Sequence, residues 1–222
     1  MSEPMSDYHK TIEYWDRIFS EFPADFNPDA PLPYPWMEEA LDWLLVSGSR
    51  VIDFGCGSGK FLLRAAAKQA SFVMGMDISS QAIRYCQENA RKSTSSYLFM
   101  RGDVSSLGNI PDSDFHGGVL FNILDNILPE DSIELLEHFT RILKPQGRLL
   151  VKLNEYQDPD AYVESGAEKL FEDFFSEGGL YLWNLSDEQA RELLEEYFTI
   201  EKETKVHYPE HDTSNRLYYL VN

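Results

Sequence analysis

Residues Val51 to Phe61 read V-I-D-F-G-C-G-S-G-K-F, and this stretch constrains the fold more than any other part of the chain. Val51, Ile52 and Phe54 form the apolar run of a buried strand, and Phe61, Leu62, Ala65 and Ala66 begin a helical pattern directly after the glycines. Gly55, Gly57 and Gly59 therefore occupy a strand-to-helix turn. Glycine there permits positive φ and lets a ligand reach backbone N–H groups without a Cβ in the way. Asp77 follows Gly55 by 22 residues and closes a second apolar run, Phe72-Val73-Met74-Gly75-Met76. A carboxylate at that separation is placed to receive the hydroxyls of an adenosine ribose.

Spacing separates the nucleotide sites that such a turn can serve. A phosphate-cradling P-loop needs G-x-x-x-x-G-K-[ST], but Gly59-Lys60 is followed by Phe61, and the residue five before Gly59 is Phe54. The P-loop is excluded. A dinucleotide fold uses G-x-G-x-x-G, and Lys60 stands where its third glycine would fall. A nicotinamide-dependent oxidoreductase is therefore a poor fit.

The sequence from Asp53 to Gly59 resembles motif I of the class I S-adenosylmethionine-dependent methyltransferases, an acid followed by G-x-G-x-G. Further segments resemble that family in order along the chain. Asp77-Ile78 is similar to the acidic end of its second strand, and Gly102-Asp103-Val104 to the segment that meets the adenine. Phe121-Asn122-Ile123-Leu124 sits where the fourth strand opens into the active site, and Leu143-Lys144-Pro145-Gln146-Gly147-Arg148 resembles the L-K-P-G-G turn into the fifth, with Gln146 replacing one glycine. The resemblance covers roughly residues 36 to 222 and implies S-adenosyl-L-methionine as cofactor.

It also implies roles. Asp77, beside Ile78, would accept from both ribose hydroxyls; the Asp103 carboxylate would accept from the adenine amino group while the Val104 N–H donates to a ring nitrogen. The backbone around Phe121 and Asn122 would lie along the methionine end. Asp53 would organise the turn of Gly55, Cys56, Gly57 and Gly59. Plainer uses exist beside these. Asp77 and Asp103 also suit helix capping, and Cys56 reads as a small packing residue and not as a nucleophile.

The β/α alternation from Val51 onward predicts a three-layer, Rossmann-like α/β fold, with a mostly parallel sheet covered on both faces. Strands are expected at Arg50–Phe54, Phe72–Met76, Tyr97–Arg101, Gly117–Phe121 and Arg148–Leu153, with helices near Gly59–Lys68, Ser80–Arg91 and Pro129–Leu143. The tail breaks the alternation. Ser186-Asp187-Glu188-Gln189 is a capping box opening a helix to about Tyr197. Phe198–Val206 and Arg216–Val221 then read as two strands joined by a return at Tyr208–Asn215, so the last of seven strands runs antiparallel, as in the methyltransferase fold.

Ahead of this core, Tyr8, Ile12, Trp15, Phe19 and Phe22 mark one helix face, a cap followed by a segment broken by Pro23, Pro28, Pro31, Pro33 and Pro35. A helix resumes over Trp36–Val46. Between the fifth strand and the capping box, residues 154–184 carry Tyr156, Tyr162, Phe171, Phe174, Phe175, Tyr181 and Trp183. We expect one domain over residues 1–222, with residues 1–35 as cap and residues 154–184 as an aromatic lid. Either segment also has the simpler use of packing on the sheet or on itself.

Composition narrows the partners. Asp and Glu number 38 against 19 Lys and Arg, a formal charge of −19 that repels phosphate backbones and anionic lipid. Nucleic acid and membrane surface are poor partners, and the acids are dispersed as a solvated face. There is no apolar window of transmembrane length and no signal-like run in the first ten residues. Two cysteines, Cys56 and Cys86, give neither a disulfide framework nor a metal cluster and suit the cytoplasm.

The acceptor side is less legible. Methyltransferases acting on exocyclic amino groups of nucleic acids carry [DN]-P-P-[YF] after the fourth strand, but Asn122-Ile123-Leu124-Asp125 has no proline. A small-molecule acceptor is therefore expected, with a non-catalytic cofactor-binding protein as the alternative from another class. No catalytic residue is assigned and no metal is expected. Of five histidines, His9 precedes the first helix stripe, His138 looks solvent-facing and His116 lies at the wrong end of the fourth strand; His207 and His211, beside the final return, and Asp125 are weak candidates for a base. Methyl transfer from a sulfonium asks chiefly for alignment and exclusion of water.

Overall fold

A hydrophobic strand, a glycine turn and an amphipathic helix recur through the chain, and in the computed structural model, which describes residues 8–21, 26–91 and 95–222, they stack into a seven-stranded sheet between two helical layers. In chain order, α1 spans His9–Ser20, α2 Pro35–Leu44, β1 Arg50–Phe54, α3 Lys60–Ala67, β2 Phe72–Asp77, α4 Ser80–Ala90, β3 Ser96–Arg101 and β4 Phe115–Phe121. Then come α5 at Pro129–Ile142, β5 at Leu143–Asn154, α6 at Pro159–Ser165, β6 at Glu168–Phe171, β7 at Phe174–Glu177 and β8 at Leu180–Trp183. The chain finishes with α7 at Asp187–Glu195, β9 at Thr199–Tyr208 and β10 at Thr213–Val221. Phe22 and Pro23, expected in the first helix and the proline-rich segment, lie outside the described residues.

The strand order is β3-β2-β1-β4-β5-β10-β9, with β10 antiparallel to both neighbours. The order reverses between β1 and β4, which pair in parallel through Asp53 and Val119. This topological switch point opens the crevice in which α/β sheets bind their ligands, at the carboxyl ends of the strands. Side-chain alternation builds the two cores. Ile52 and Phe54 of β1 face Leu135, Leu136 and Phe139 of α5 and Leu194 of α7, while Val51 faces Leu41 and Leu44 of α2 and Leu62 of α3. Each such fully buried side chain contributes about 1.5–3 kcal/mol relative to exposure.

Helix starts follow local chemistry. Pro35 and Pro129 open α2 and α5, where the missing N–H costs nothing. Ser186 and Gln189 exchange the reciprocal capping-box bonds at α7. The L-K-P turn into β5 tolerates Gln146 although its φ is +64°, and Gly147 is required because a Cβ there would sit 2.7 Å from the Lys144 carbonyl oxygen.

Several boundaries differ from the sequence expectation. β4 starts at Phe115, so His116 lies within the strand, where its Nδ1 accepts from the Arg50 N–H at 3.1 Å. β9 and β10 extend to a short return at residues 209–212. Thr213, Ser214 and Asn215 pair with Tyr208, His207 and Val206, so the ladder continues through polar residues that read as loop. The aromatic segment forms α6 and a second, antiparallel sheet, β6-β7-β8. Phe174 and Phe175 are buried in it, and Tyr162–Phe175, Phe171–Phe174 and Phe174–Tyr181 stack.

Candidate functional site

A cavity of about 540 Å³ opens over the carboxyl ends of β1, β2 and β4, within the ~300–1,000 Å³ typical of small-ligand sites. At one end stands the glycine turn. Gly55 has φ +75° and Gly57 φ +51°, and a Cβ on Gly55 would fall 2.0 Å from Ile123 Cδ1. Asp77 faces this turn from the end of β2. Its Oδ2 accepts from the Gly57 N–H and its Oδ1 from the Ser79 N–H, both at 2.9 Å. Burial pushes its pKa up while these two backbone donors oppose the shift. A carboxylate offers about four lone-pair sites, so the backbone donors at Gly57, Ile78 and Ser79 leave room for a further donor such as a ribose hydroxyl.

Asp103 caps the 3-10 turn at Val104–Asn109. Burial alone would raise its carboxyl, but donors from Ser105 and Ser106 outweigh it and hold the group below the usual carboxylate range. The two serine hydroxyls and the Ser106 N–H all donate to Oδ1, so Oδ2 takes none of these bonds, and Asp103 lines the cavity with Val104 and Ile78. Capping thus occupies only one oxygen of this side chain. The carboxylates, the apolar Ile78 and Val104, and a cradle that a Cβ would fill all fit an adenosyl group.

Of the residues singled out in the sequence, Gly55, Gly57, Asp77, Ile78, Asp103, Val104, Phe121 and Asn122 line the cavity together. Asp53, Cys56 and Gly59 stand behind it. Asp53 is buried with Oδ1 unpartnered among the described residues, and burial, then the Asp77 charge, push its pKa well up. Cys56 is a buried free thiol that would lie 2.8 Å from a Cβ on Gly75, which is a packing position. Gly59, at φ +69°, opens α3, and a Cβ there would meet Cys86 Sγ at 2.7 Å.

The opposite wall comes from segments without a motif. Tyr8, Thr11, Trp15 and Phe19 descend from α1 and its N-terminal approach, Ile127 precedes α5, Asp131 comes from its first turn, and Leu180 comes from β8. Three polar contacts hold α1 across the mouth. The Tyr8 hydroxyl donates to the Asp131 carboxylate and accepts from the Leu128 N–H. The Thr11 hydroxyl donates to the Gly179 carbonyl at 2.7 Å, and Asp16 accepts from the Ser79 and Ser80 hydroxyls and the Gln81 N–H at the start of α4. The helical stripe was readable in the sequence; its partners, more than 60 residues away, were not.

None of the five histidines lines the cavity. His207 pairs with Ser214 on the exposed ladder, and His116 lies at the amino-terminal end of the sheet. Asp125 is 2 % exposed and does not line the cavity; it accepts from the Asn154 N–H and the Asn126 side chain. Lys152 lies beside Phe121 among Trp36 and Tyr208, and burial lowers its pKa to about 8.

Comparison with known proteins agrees with this geometry. Residues 51–147 match the methyltransferase-domain family. The ribosomal protein L11 methyltransferase of Methylococcus capsulatus is 32 % identical over 151 residues, 68 % of this chain and 47 % of that protein. The chain spans less than half the length of the curated relatives it matches. A SAM-dependent methyltransferase of Methanosarcina mazei superposes with a TM-score of 0.69 at 22 % identity, over 85 % of this chain and 97 % of that one. The 1,6-didemethyltoxoflavin-N1-methyltransferase of Burkholderia thailandensis, solved with 1,6-didemethyltoxoflavin and S-adenosylhomocysteine, gives 0.69 at 16 % identity, over 98 % and 86 %.

The fold is that of the class I, S-adenosylmethionine-dependent methyltransferases. Within that fold, residues 51–147 carry the match to the methyltransferase-domain family.

Proposed function

We propose that the protein is an S-adenosyl-L-methionine-dependent methyltransferase acting on a small-molecule acceptor. The observation that carries this reading is the cavity in which Gly55, Gly57, Asp77 and Asp103 converge at one end and aromatic side chains of α1 close the other. When bound, the cofactor would supply an electrophilic methyl group on a sulfonium. Asp77 would hold the ribose with the room left by its backbone donors, and Asp103 Oδ2 and the Val104 N–H would hold the adenine. Trp15, Phe19 and Tyr8 would exclude water from the reacting centre, and Asn122 would border the methionine end. Alignment and desolvation would account for the rate, with no histidine at the wall to act as base.

The curated relative named above acts on ribosomal protein L11, yet a small acceptor suits this chain better. A protein side chain needs an open groove, whereas here α1 is tied to α5, to the β7–β8 turn and to α4 across the cavity. The charge of −19 disfavours nucleic acid and anionic membranes as partners. Among the described residues no helix is long and apolar enough to cross a membrane. Two buried free thiols suit the cytoplasm, and we take the chain as one methyltransferase domain with residues 154–184 as lid. A turnover screen over small-molecule acceptors and over ribosomal protein substrates, read as adenosylhomocysteine release, tests this. Turnover with a small molecule is expected; turnover confined to protein substrates would overturn the acceptor class.

A further inference from the structure

Away from the glycine turn, the polar groups of the cavity wall include three carboxamides, Asn122, Asn126 and Asn154, and no Lys, Arg or His among the described residues. They are held from behind. The buried Asp125 carboxylate takes the Asn126 Nδ2 on Oδ1 at 3.0 Å and the Asn154 backbone N–H on Oδ2 at 2.5 Å. Arg216, itself 2 % exposed, donates twice to the Asn154 carbonyl, at 3.0 and 2.8 Å, and once to the Leu185 carbonyl. The last residue of β5 is thereby fixed on both sides.

The side chains then form a row. Asn215 Nδ2 donates to Asn122 Oδ1 at 3.2 Å, and Asn122 Nδ2 donates to Asn154 Oδ1 at 2.9 Å. With its oxygen engaged, Asn154 turns its Nδ2 away from Asn122. Asn126, with its Nδ2 on Asp125, keeps its Oδ1. Neither of these two atoms has a partner among the described residues, and both residues line the cavity. These two atoms present one uncharged donor and one uncharged acceptor on a rigid support. Asp131 is already engaged by the Tyr8 hydroxyl, and Glu134 is half exposed and reaches toward His138 at 3.5 Å.

We propose that Asn154 and Asn126 bind the acceptor through an uncharged edge that both donates and accepts, such as a carboxamide, lactam or ring N–H beside a carbonyl, with Asp125 as the positioning residue behind them. This rests on the methyltransferase reading for the word acceptor, but not for the preference itself. A site built to pair such an edge rejects an isostere that leaves its own groups unpaired. An anionic isostere additionally meets Asp131 and Glu134 with no cation on the wall.

The test uses benzamide, benzoate and benzylammonium as size-matched probes, with affinities from saturation-transfer NMR on the protein with and without adenosylhomocysteine. Benzamide should bind at least fivefold tighter than either charged probe. Asn154→Leu should erase most of that preference. Asn154→Asp keeps an oxygen for Asn122 and so retains the row, but should lose benzamide and gain benzylammonium. Benzylammonium favoured by the wild-type protein, or benzamide bound equally by Asn154→Leu, would overturn the proposal. Adenosylhomocysteine affinity, measured separately by calorimetry, keeps the two readings apart. Its absence with the benzamide preference intact would remove only the methyltransferase reading, and its presence without that preference would remove only this one.

Discussion

Tyr8 and Asp131, 123 residues apart, meet across the mouth of the cavity, where the Tyr8 hydroxyl donates to the carboxylate and accepts from the Leu128 N–H at 2.9 Å. The contact joins α1 to the first turn of α5. Burial, then the Asp131 contact, drives the Tyr8 hydroxyl well above the usual tyrosine range, so it stays a donor at any physiological pH.

Tyr8→Phe should therefore loosen α1. Losing a bond to a charged partner costs about 1.5–3 kcal/mol, and amides of residues 9–20 should exchange faster. In the wild-type protein, adenosylhomocysteine should slow exchange in α1 and in β6–β8, because an ordered lid protects its amides. Equal exchange with and without ligand, and no change in the variant, would mean that α1 is fixed packing.

Asp77→Ala should weaken adenosylhomocysteine binding by one to two orders of magnitude, about 1.4 kcal/mol per decade. The carboxylate holds the glycine turn through Gly57 and leaves room for a further donor toward the cavity. Calorimetry showing unchanged affinity in a folded variant would reduce Asp77 to a cap at the start of α4.

Lys152 predicts a pH dependence of stability. Its folded-state pKa of about 8, lowered by burial, lies below the ordinary lysine value of 10.5. The unfolded chain therefore holds this proton where the folded one releases it, and stability should rise as pH goes from about 8 to 10.5. A shift of that size is worth on the order of 3 kcal/mol. Lys152→Met should be more stable at pH 7 and lack that rise, as read by urea melts at pH 7 and 10. Parallel pH profiles for the two proteins would contradict this.

His207→Ala and His211→Ala should each lower turnover less than the 10²–10⁴-fold typical of removing a general base. Neither side chain lines the cavity. A thousandfold loss at saturating cofactor from either would identify a base and point to a protonated acceptor.

The cofactor end was legible because its chemistry is local. Gly55 and Gly57 need positive φ, Asp77 ends an apolar strand, and Ser186 with Gln189 is a four-residue signal. The mostly parallel sheet with its antiparallel last strand was legible for the same reason, from alternation and the capping box; its strand order was not. What escaped is long-range or short-period. β6, β7 and β8 have four residues each, too few to show a period, and their aromatic density fitted a lid and a small core equally. Thr213 and Ser214 of β10 pair with β9 alone, and Asn215 is a buried polar residue bonded to Asn122, so none of the three gave an apolar strand signal. Asn154 carried no motif at all; its place depends on Asp125 and Arg216, brought together only by folding. Asp125 looked like a possible base and is instead a buried support.

A titration of the protein with adenosylhomocysteine and with NAD tests the central claim most directly. At about 100 times its dissociation constant a ligand adds about 2.7 kcal/mol to stability, a melting shift of roughly 5–10 °C for a chain of this size. Adenosylhomocysteine should produce that shift with one-to-one calorimetric binding, and NAD should produce neither. Binding of NAD without adenosylhomocysteine would contradict the assignment of this site.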